Sequence, residues 1–362
     1  MKAAIFLFTL IYLGPTVAQD VYQIIRDQAD GFAEVKPGRV LEFPLDHAPH
    51  PEYRIEWWYI TANLQDAQGR DWGIQWTLFR QALSAEVDNE GWDSNQLWMA
   101  HAAITKPEGH IFEQRFARGG IGQAGVLGGA DKNGFSAWMD DWKWQSNSPE
   151  LLTSRLDFKI GKHQVKMVLN NTADWVLNGE QGYSQKSEQG QASYYYSQPN
   201  ISISGKITIE DNEIELNGSA WLDREWSSQA LAENQKGWDW FSLHLQDSNK
   251  LMLYRLRHAD GNHWLSGSWT DPSGRVIALK KSDIKMAVVA RRKINISNDS
   301  SVQLPFEWQI SLPAYNRHWV VKPLYDQQWM DTRFPYWEGV VRVEDAHGEL
   351  VGRGYMELTG YE

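Results

Sequence analysis

The sharpest concentration of chemistry-bearing side chains is Asp223-Arg224-Glu225-Trp226. On an extended strand, Asp223 and Glu225 share one face, and Arg224 and Trp226 share the other. A carboxyl enclosed in an apolar barrel interior loses solvation as an anion and stays protonated toward neutral pH. Such an acid can protonate an alkene, aromatic faces can stabilise the resulting cation, and a base can complete addition of water. The competing reading is a salt-bridged structural motif, which Arg224 beside two acids favours. Glu56 stands before Trp57, Trp58 and Tyr59; an acid on an aromatic strand is either paired or functional, and Arg80 or Arg255 are its expected partners. Trp238, Trp240 and His244 occupy a similar stretch and, with Glu56, Trp57, Trp58, Tyr59 and Arg224, form the expected ligand-binding set. His101 and His244 alternate with apolar neighbours and read first as core histidines.

Other chemistries are poorly served. No Gly-x-Ser-x-Gly elbow is present, which disfavours a serine hydrolase. The chain has no cysteine, so thiol catalysis, thiolate metal sites and disulfides are excluded. His47 and His50 lie close together but lack further acids at zinc-ligand spacing beyond Asp46, so no metal site is expected. Glycosidase action by Asp223 and Glu225 requires carboxyls on opposite sides of a bond, and these two share a face. The glycine-rich stretch from Gly119 to Gly134 lacks the Lys-Ser/Thr ending of a phosphate loop and reads as a mobile surface loop.

These side chains need strands to position them. The 362 residues include 20 Trp, 14 Tyr and 12 Phe, a load suited to wide cores or aromatic clefts. From Leu41 onward, aromatic and β-branched runs alternate with turn residues. The pairs Ile55–Leu64 with Trp72–Phe79, Trp98–Thr105 with His110–Phe116, Leu156–Ile160 with Gln164–Leu169, and Ile201–Ile209 with Glu213–Leu222 read as hairpins. So do Trp238–Leu245 with Leu251–Arg257, Trp264–Trp269 with Arg275–Leu279, and Trp337–Val343 with Leu350–Leu358. Helical periodicity is weak outside the leader, with Ser227 to Asn234 as the one candidate. Trp58-Tyr59 before Leu64-Gln65-Asp66 is echoed by Trp240-Phe241 before Leu245-Gln246-Asp247, at an offset of 181 or 182 residues. The expected architecture is all-β: two consecutive lipocalin-like antiparallel barrels, over residues 19–228 and 229–362.

Residues 1–18 read as a signal peptide: Lys2, an apolar run from Ala3 to Val17, and a small-residue site ending at Ala18. An exported, periplasmic or secreted protein is expected, with no membrane span after cleavage. The net charge of −11 supplies no basic surface for nucleic acid or anionic lipid.

Three blocks carry a family resemblance: Phe43-Pro44-Leu45-Asp46-His47 with Glu56-Trp57-Trp58-Tyr59, Trp221 to Gln229 with Gly237-Trp238-Asp239-Trp240-Phe241, and the ending Gly352 to Tyr361. They resemble the secreted AttH-like proteins and carotenoid 1,2-hydratases (hydroxyneurosporene synthases). The resemblance implies two joined lipocalin-like barrels and, in its enzymes, cofactor-free addition of water to an isoprenoid double bond. It also implies, for some bacterial members, association with an ABC exporter. The hydratases resemble one another in an Asp-His-x-Trp pattern. Asp223 and Trp226 match it, Arg224 stands at the His, and Tyr254 matches a later Tyr without the Asp that follows. Two readings result. One is a binding protein for an apolar or amphipathic, lipid- or isoprenoid-type molecule. The other is a cofactor-free hydratase or isomerase with Asp223 or Glu225 as acid.

Overall fold

A computed structural model describes residues 29–129, 133–229, 231–296 and 300–361. The expected signal peptide at 1–18 lies outside the described residues. The first sheet contains β1 (Ile55–Asp66), β2 (Asp71–Ala82), β3 (Gln96–Lys106), β4 (Gly109–Arg118), β5 (Ala124–Leu127), β6 (Phe135–Met139), β7 (Trp142–Ser146), β8 (Thr153–Ile160), β9 (His163–Asn171), β10 (Val176–Leu177), β11 (Tyr183–Gln185), β12 (Ala192–Ile209) and β13 (Asn212–Ser227). The second contains β14 (Gln235–Leu245), β15 (Lys250–His258), β16 (Trp264–Thr270), β17 (Val276–Lys280), β18 (Lys285–Asn295), β19 (Ser301–Leu312), β20 (Arg317–Pro323), β21 (Trp329–Met330), β22 (Tyr336–Glu344) and β23 (Leu350–Thr359). All seven hairpins read from the sequence are formed. The helical candidate at Ser227 to Asn234 is not realised: Ser227 ends β13, and the described residues after it are the link where the chain passes from one sheet to the other. The stretch from Gly119 to Gly134 is not simply a loop: its Ala124–Leu127 segment pairs with β6.

The two sheets repeat one topology. The first runs β4-β3-β2-β1-β13-β12-β9-β8-β7 before ending in β6 and β5, and the second runs β17-β16-β15-β14-β23-β22-β20-β19-β18. In each, four successive strands fold back from a pivot (β1 or β14), and the last long strand returns to pair with that pivot. Each sheet curls over its own apolar core, one built on Trp58, Trp76, Trp144 and Phe158, the other on Phe241, Trp308 and Trp337.

The pivots are buried on both faces, which explains why β1 reads as a nearly unbroken apolar run. On β1, Trp58, Ile60, Ala62 and Leu64 enter the first core. Trp57 and Tyr59, on the other face, join a third cluster with Tyr195, Trp221, Trp240, Tyr254 and Tyr355. The two barrel-like sheets thus pack outer face against outer face, with aromatic side chains between them. The sequence echo belongs to this surface, at an offset of 181: Trp57 and Tyr59 correspond to Trp238 and Trp240. The match of Trp58-Tyr59 with Trp240-Phe241 is one residue out of register, since Trp58 points into a core and Trp240 does not.

Candidate functional site

A cavity of about 220 Å³ lies between the sheets. The first sheet contributes Trp57, Tyr59, Phe79, Met99, His101, Tyr195, Asp223 and Glu225 to its walls, and the second contributes Trp238, Trp240, Tyr254, Leu256, Tyr336 and Glu357. Lys186, Leu231 and Phe334 come from the connections. Half-buried Phe79, Met99, Trp238 and Phe334 form the rim.

Strand alternation delivers Asp223 and Glu225 to this space. Asp223 is 3% exposed. Its Oδ1 accepts from Ser197 Oγ at 2.5 Å and Trp221 Nε1 at 2.7 Å, and its Oδ2 accepts from Tyr195 OH at 2.7 Å. Burial pushes its carboxyl up to about 7, and the three donors offset that only in part. Glu225 is paired: Lys186 Nζ lies 2.8 Å from Oε1, and Ser193 donates to the same oxygen. Lys186 sits 4.3 Å from the Tyr254 ring centroid. Tyr254 OH donates to Gln185 O at 3.1 Å and lies 3.0 Å from Ser184 Oγ, so Tyr254 offers the cavity its ring.

The opposite wall carries acids that sequence reasoning missed. Glu357 faces the cavity and accepts from Trp238 Nε1 at 2.9 Å. Enclosure by protein raises it to about 8, with Asp223 and Glu225 adding to the rise. Its cross-strand neighbour Glu338 is buried behind it, accepts from Tyr59 OH, and is raised well above the usual carboxylate range, by burial first and by Glu357 second. Tyr336 OH lies 2.8 Å from His101 Nδ1, and burial lowers His101 to about 3, so this imidazole is neutral. The signal available for Glu357 was an acid within an alternating apolar strand in the last family block. Tyr195 and Lys186 had no comparable signature.

Four expected site residues lie elsewhere. Trp226 and Trp58 are on the inward face and belong to the first core. Arg224 shares that face and does not pair with its neighbours Asp223 and Glu225. It contacts Glu56 Oε1 at 2.6 Å, donates to Ala48 O at 2.9 Å, and its guanidinium carbon lies 4.0 Å from the Trp58 ring centroid. His244 Nε2 donates to Pro199 O at 2.9 Å and does not line the cavity. The barrel interior therefore is not where the acid sits: the lifted carboxyls are between the barrels.

Glu56 borders the cavity, but its carboxylate is spent inward. Arg80 Nε lies 3.0 Å from Oε2, and His50 donates Nδ1–H to Oε1 at 2.7 Å. Burial alone would raise Glu56; Arg224, then His50 and Arg80, override it and hold the group well below the usual range. Arg80 was an expected partner, whereas Arg255 pairs with Asp239 at 2.7 Å. His50 also stacks on Trp226, with ring centroids 3.9 Å apart, and reaches Asp46 at 2.9 Å. The segment carrying Asp46, His47 and His50 is thereby tied to the inward-facing Glu56, Trp58, Tyr196 and Trp226 of the first sheet. Among the described residues, no group of three or more His, Asp or Glu side chains is placed to hold a metal ion, and no helix is long and apolar enough to cross a membrane.

An AttH-like family model matches residues 34–361. The chain belongs to the AttH-like family. The crystal structure described as an AttH from Nitrosomonas europaea is 33% identical, with a TM-score of 0.79, over 91% of this chain and all of that one. Two more distant structures share the fold. Kievitone hydratase from Nectria haematococca is 14% identical with a TM-score of 0.66, over 91% of this chain and 96% of its own. CghA in complex with Sch210972 is 11% identical with a TM-score of 0.56, over 92% and 97%. No functionally curated protein sequence matches. AttH-like membership and the lipocalin-like double-barrel fold are thus established together.

Proposed function

We propose that this AttH-like protein binds a neutral apolar or amphipathic molecule of isoprenoid type between its barrels and transfers protons on it without a cofactor, as a hydratase or isomerase. The observation that carries this reading is the Asp223 carboxyl, held at about 7 in an aromatic-walled cavity. A group titrating there can both give and take a proton at neutral pH. Charge accounting supports a neutral ligand. Lys186 is paired with Glu225, and Arg80 and Arg224 are both turned onto Glu56 and away from the cavity, so Asp223 and Glu357 are the lining acids left to act. Trp57, Tyr59, Trp238 and Trp240 line the cavity, and the face of an aromatic ring stabilises a developing cation. That a structure of this fold is named a hydratase supports the same class of reaction.

The test is incubation with isoprenoid and polyene alkenes in ¹⁸O-labelled water, with products read by mass spectrometry. Label in an alcohol product that is lost in Asp223→Asn, while ligand quenching of tryptophan fluorescence persists, supports the reading. Full turnover by that variant sinks it.

A second reading, binding without turnover, is favoured by one observation: Asp223 accepts three hydrogen bonds from the protein's own side chains. A lipid or isoprenoid that copurifies unchanged with the protein would select it. In either case the leader at 1–18 points to an exported protein, which N-terminal sequencing of the cell-derived protein tests.

A further inference from the structure

Asp223 and Glu357 occupy equivalent places in the repeated topology. Asp223 lies on the strand that returns to β1, opposite Tyr59; Glu357 lies on the strand that returns to β14, opposite Trp240. Tyr59 and Trp240 are themselves equivalent and meet between the sheets. The next strand over distinguishes the two walls. The residue paired with Asp223 there is Ser197, whose hydroxyl donates to it. The residue paired with Glu357 is Glu338, a second carboxyl. Cross-strand side chains on one face approach within about 5 Å at Cβ. One wall therefore surrounds its carboxyl with donors, which suits an anion. The other sets two carboxyls side by side, an arrangement that retains a proton.

We propose that Asp223 and Glu357 are an acid–base pair acting on one bound molecule from opposite walls, Glu357 giving a proton and Asp223 taking one. This rests on the proton-transfer reading above and assigns its two roles. In hydration, the Glu357 O–H proton moves to an alkene carbon and the π pair becomes the new C–H bond. The neighbouring carbon is left cationic against the aromatic faces. A water lone pair forms the C–O bond, and the Asp223 carboxylate removes a proton from that oxygen. One water is added; Asp223 ends protonated and Glu357 ionised. The proton returns through water that refills the emptied cleft. In an isomerisation the same two groups exchange the proton with two carbons, and no water enters.

The groups facing this pair agree with the assignment. Around Asp223 are Tyr195, Glu225 and the Lys186 that neutralises Glu225; around Glu357 are Glu338, Trp238 and, more remotely, Asp223 and Glu225. Burial lifts both carboxyls; the Glu338 carboxyl beside Glu357 gives it a further reason to keep its proton, whereas Ser197, Tyr195 and Trp221 all donate to Asp223 and favour its anion.

The experiment has two arms. In the first, kcat against pH is measured for wild type, Asp223→Asn, Glu357→Gln and Glu357→Asp on an alkene that the protein hydrates. A bell-shaped wild-type profile is expected, with losses on the order of 10²-fold or more in Asp223→Asn and Glu357→Gln and partial recovery in Glu357→Asp. Wild-type-like turnover by Glu357→Gln overturns the pair while leaving proton transfer at Asp223 intact. The second arm needs no substrate. Infrared spectra of protein carrying ¹³C-labelled glutamate or aspartate carboxyls are followed with pH, and Glu357→Gln and Asp223→Asn assign the bands. A neutral Glu357 carboxyl at pH 7 that outlasts that of Asp223 as pH rises supports the pair. A Glu357 already ionised at pH 6 overturns it, whether or not a substrate is turned over.

Discussion

Tyr59 meets Trp240 edge-to-face across the boundary between the sheets, with ring centroids 5.4 Å apart and planes at 88°. Each then reaches past the other. Tyr59 OH donates to Glu338 on the second sheet, and Trp240 Nε1 donates to Tyr195 OH on the first at 3.2 Å. Tyr195 in turn holds Asp223, and Glu338 sits beside Glu357. The contact that joins the barrels therefore also supports both cleft carboxyls, and docking of the two sheets is coupled to the chemistry of the site.

Tyr59→Phe tests that coupling. It keeps the ring but removes one of the two tyrosine hydroxyls, Tyr59 and Tyr336, that bond the Glu338 carboxyl, a group only 2% exposed. Losing one hydrogen bond to a buried group that keeps another costs roughly 0.5–1.5 kcal/mol. Urea unfolding should show a loss of that size, larger than the loss for Tyr315→Phe, whose side chain is 38% exposed. Equal effects from the two variants would mean that the Tyr59–Glu338 contact does not hold the sheets together.

Arg224 stands where the resemblance implies a histidine, and its surroundings argue for a structural role. It enters the first barrel and neutralises Glu56, whose side chain has no solvent exposure. Arg224→Leu leaves Glu56 with Arg80 and His50 and without its closest cation. Breaking a buried pair from one side costs about 3–5 kcal/mol. Arg224→His should be destabilised in the same direction and gain no hydratase activity, because position 224 points away from the cleft. A rise in turnover in Arg224→His would show that the reacting atoms lie inside the barrel after all.

Much of the fold was legible because hairpins are local. Alternation and turn residues between Ile55 and Leu358 mark each strand pair without reference to the rest of the chain. Short or edge strands such as Ala124–Leu127 were not, since their pairing is set by partners and not by their own pattern. The face rule correctly placed Asp223 with Glu225 and against Arg224. What a single strand cannot reveal is what covers each face. The aromatic run Trp57-Trp58-Tyr59 is split between a core and a cleft, and the sequence echo could not fix its register until the sheets were seen to pack back to back. Glu357 and Glu338 escaped notice because each is one acid in an ordinary strand. Only the register of β22 against β23, and of β23 against β14, brings them together behind Trp238 and Tyr59.

The lifted Asp223 carboxyl also makes a prediction about stability. In the unfolded chain it ionises near its ordinary value of 3.8, and in the folded chain near 7. Between those values the folded protein holds a proton that the unfolded chain has released. The contribution is therefore fully present below about pH 4 and is lost as pH rises toward 7. His101 works in the opposite sense. It stays neutral in the fold down to about 3, while the unfolded imidazole protonates near 6.5, so its contribution is lost as pH falls. The wild-type curve mixes both effects, and comparison with Asp223→Asn isolates the first. The asparagine cannot ionise, so wild type minus variant should fall by a few kcal/mol between pH 4 and pH 8, because each tenfold change in an ionisation constant corresponds to about 1.4 kcal/mol. Urea denaturation at a series of pH values measures this difference. A difference that stays flat across that range would mean that Asp223 is an ordinary carboxylate, and the acid–base reading of the cleft would go with it.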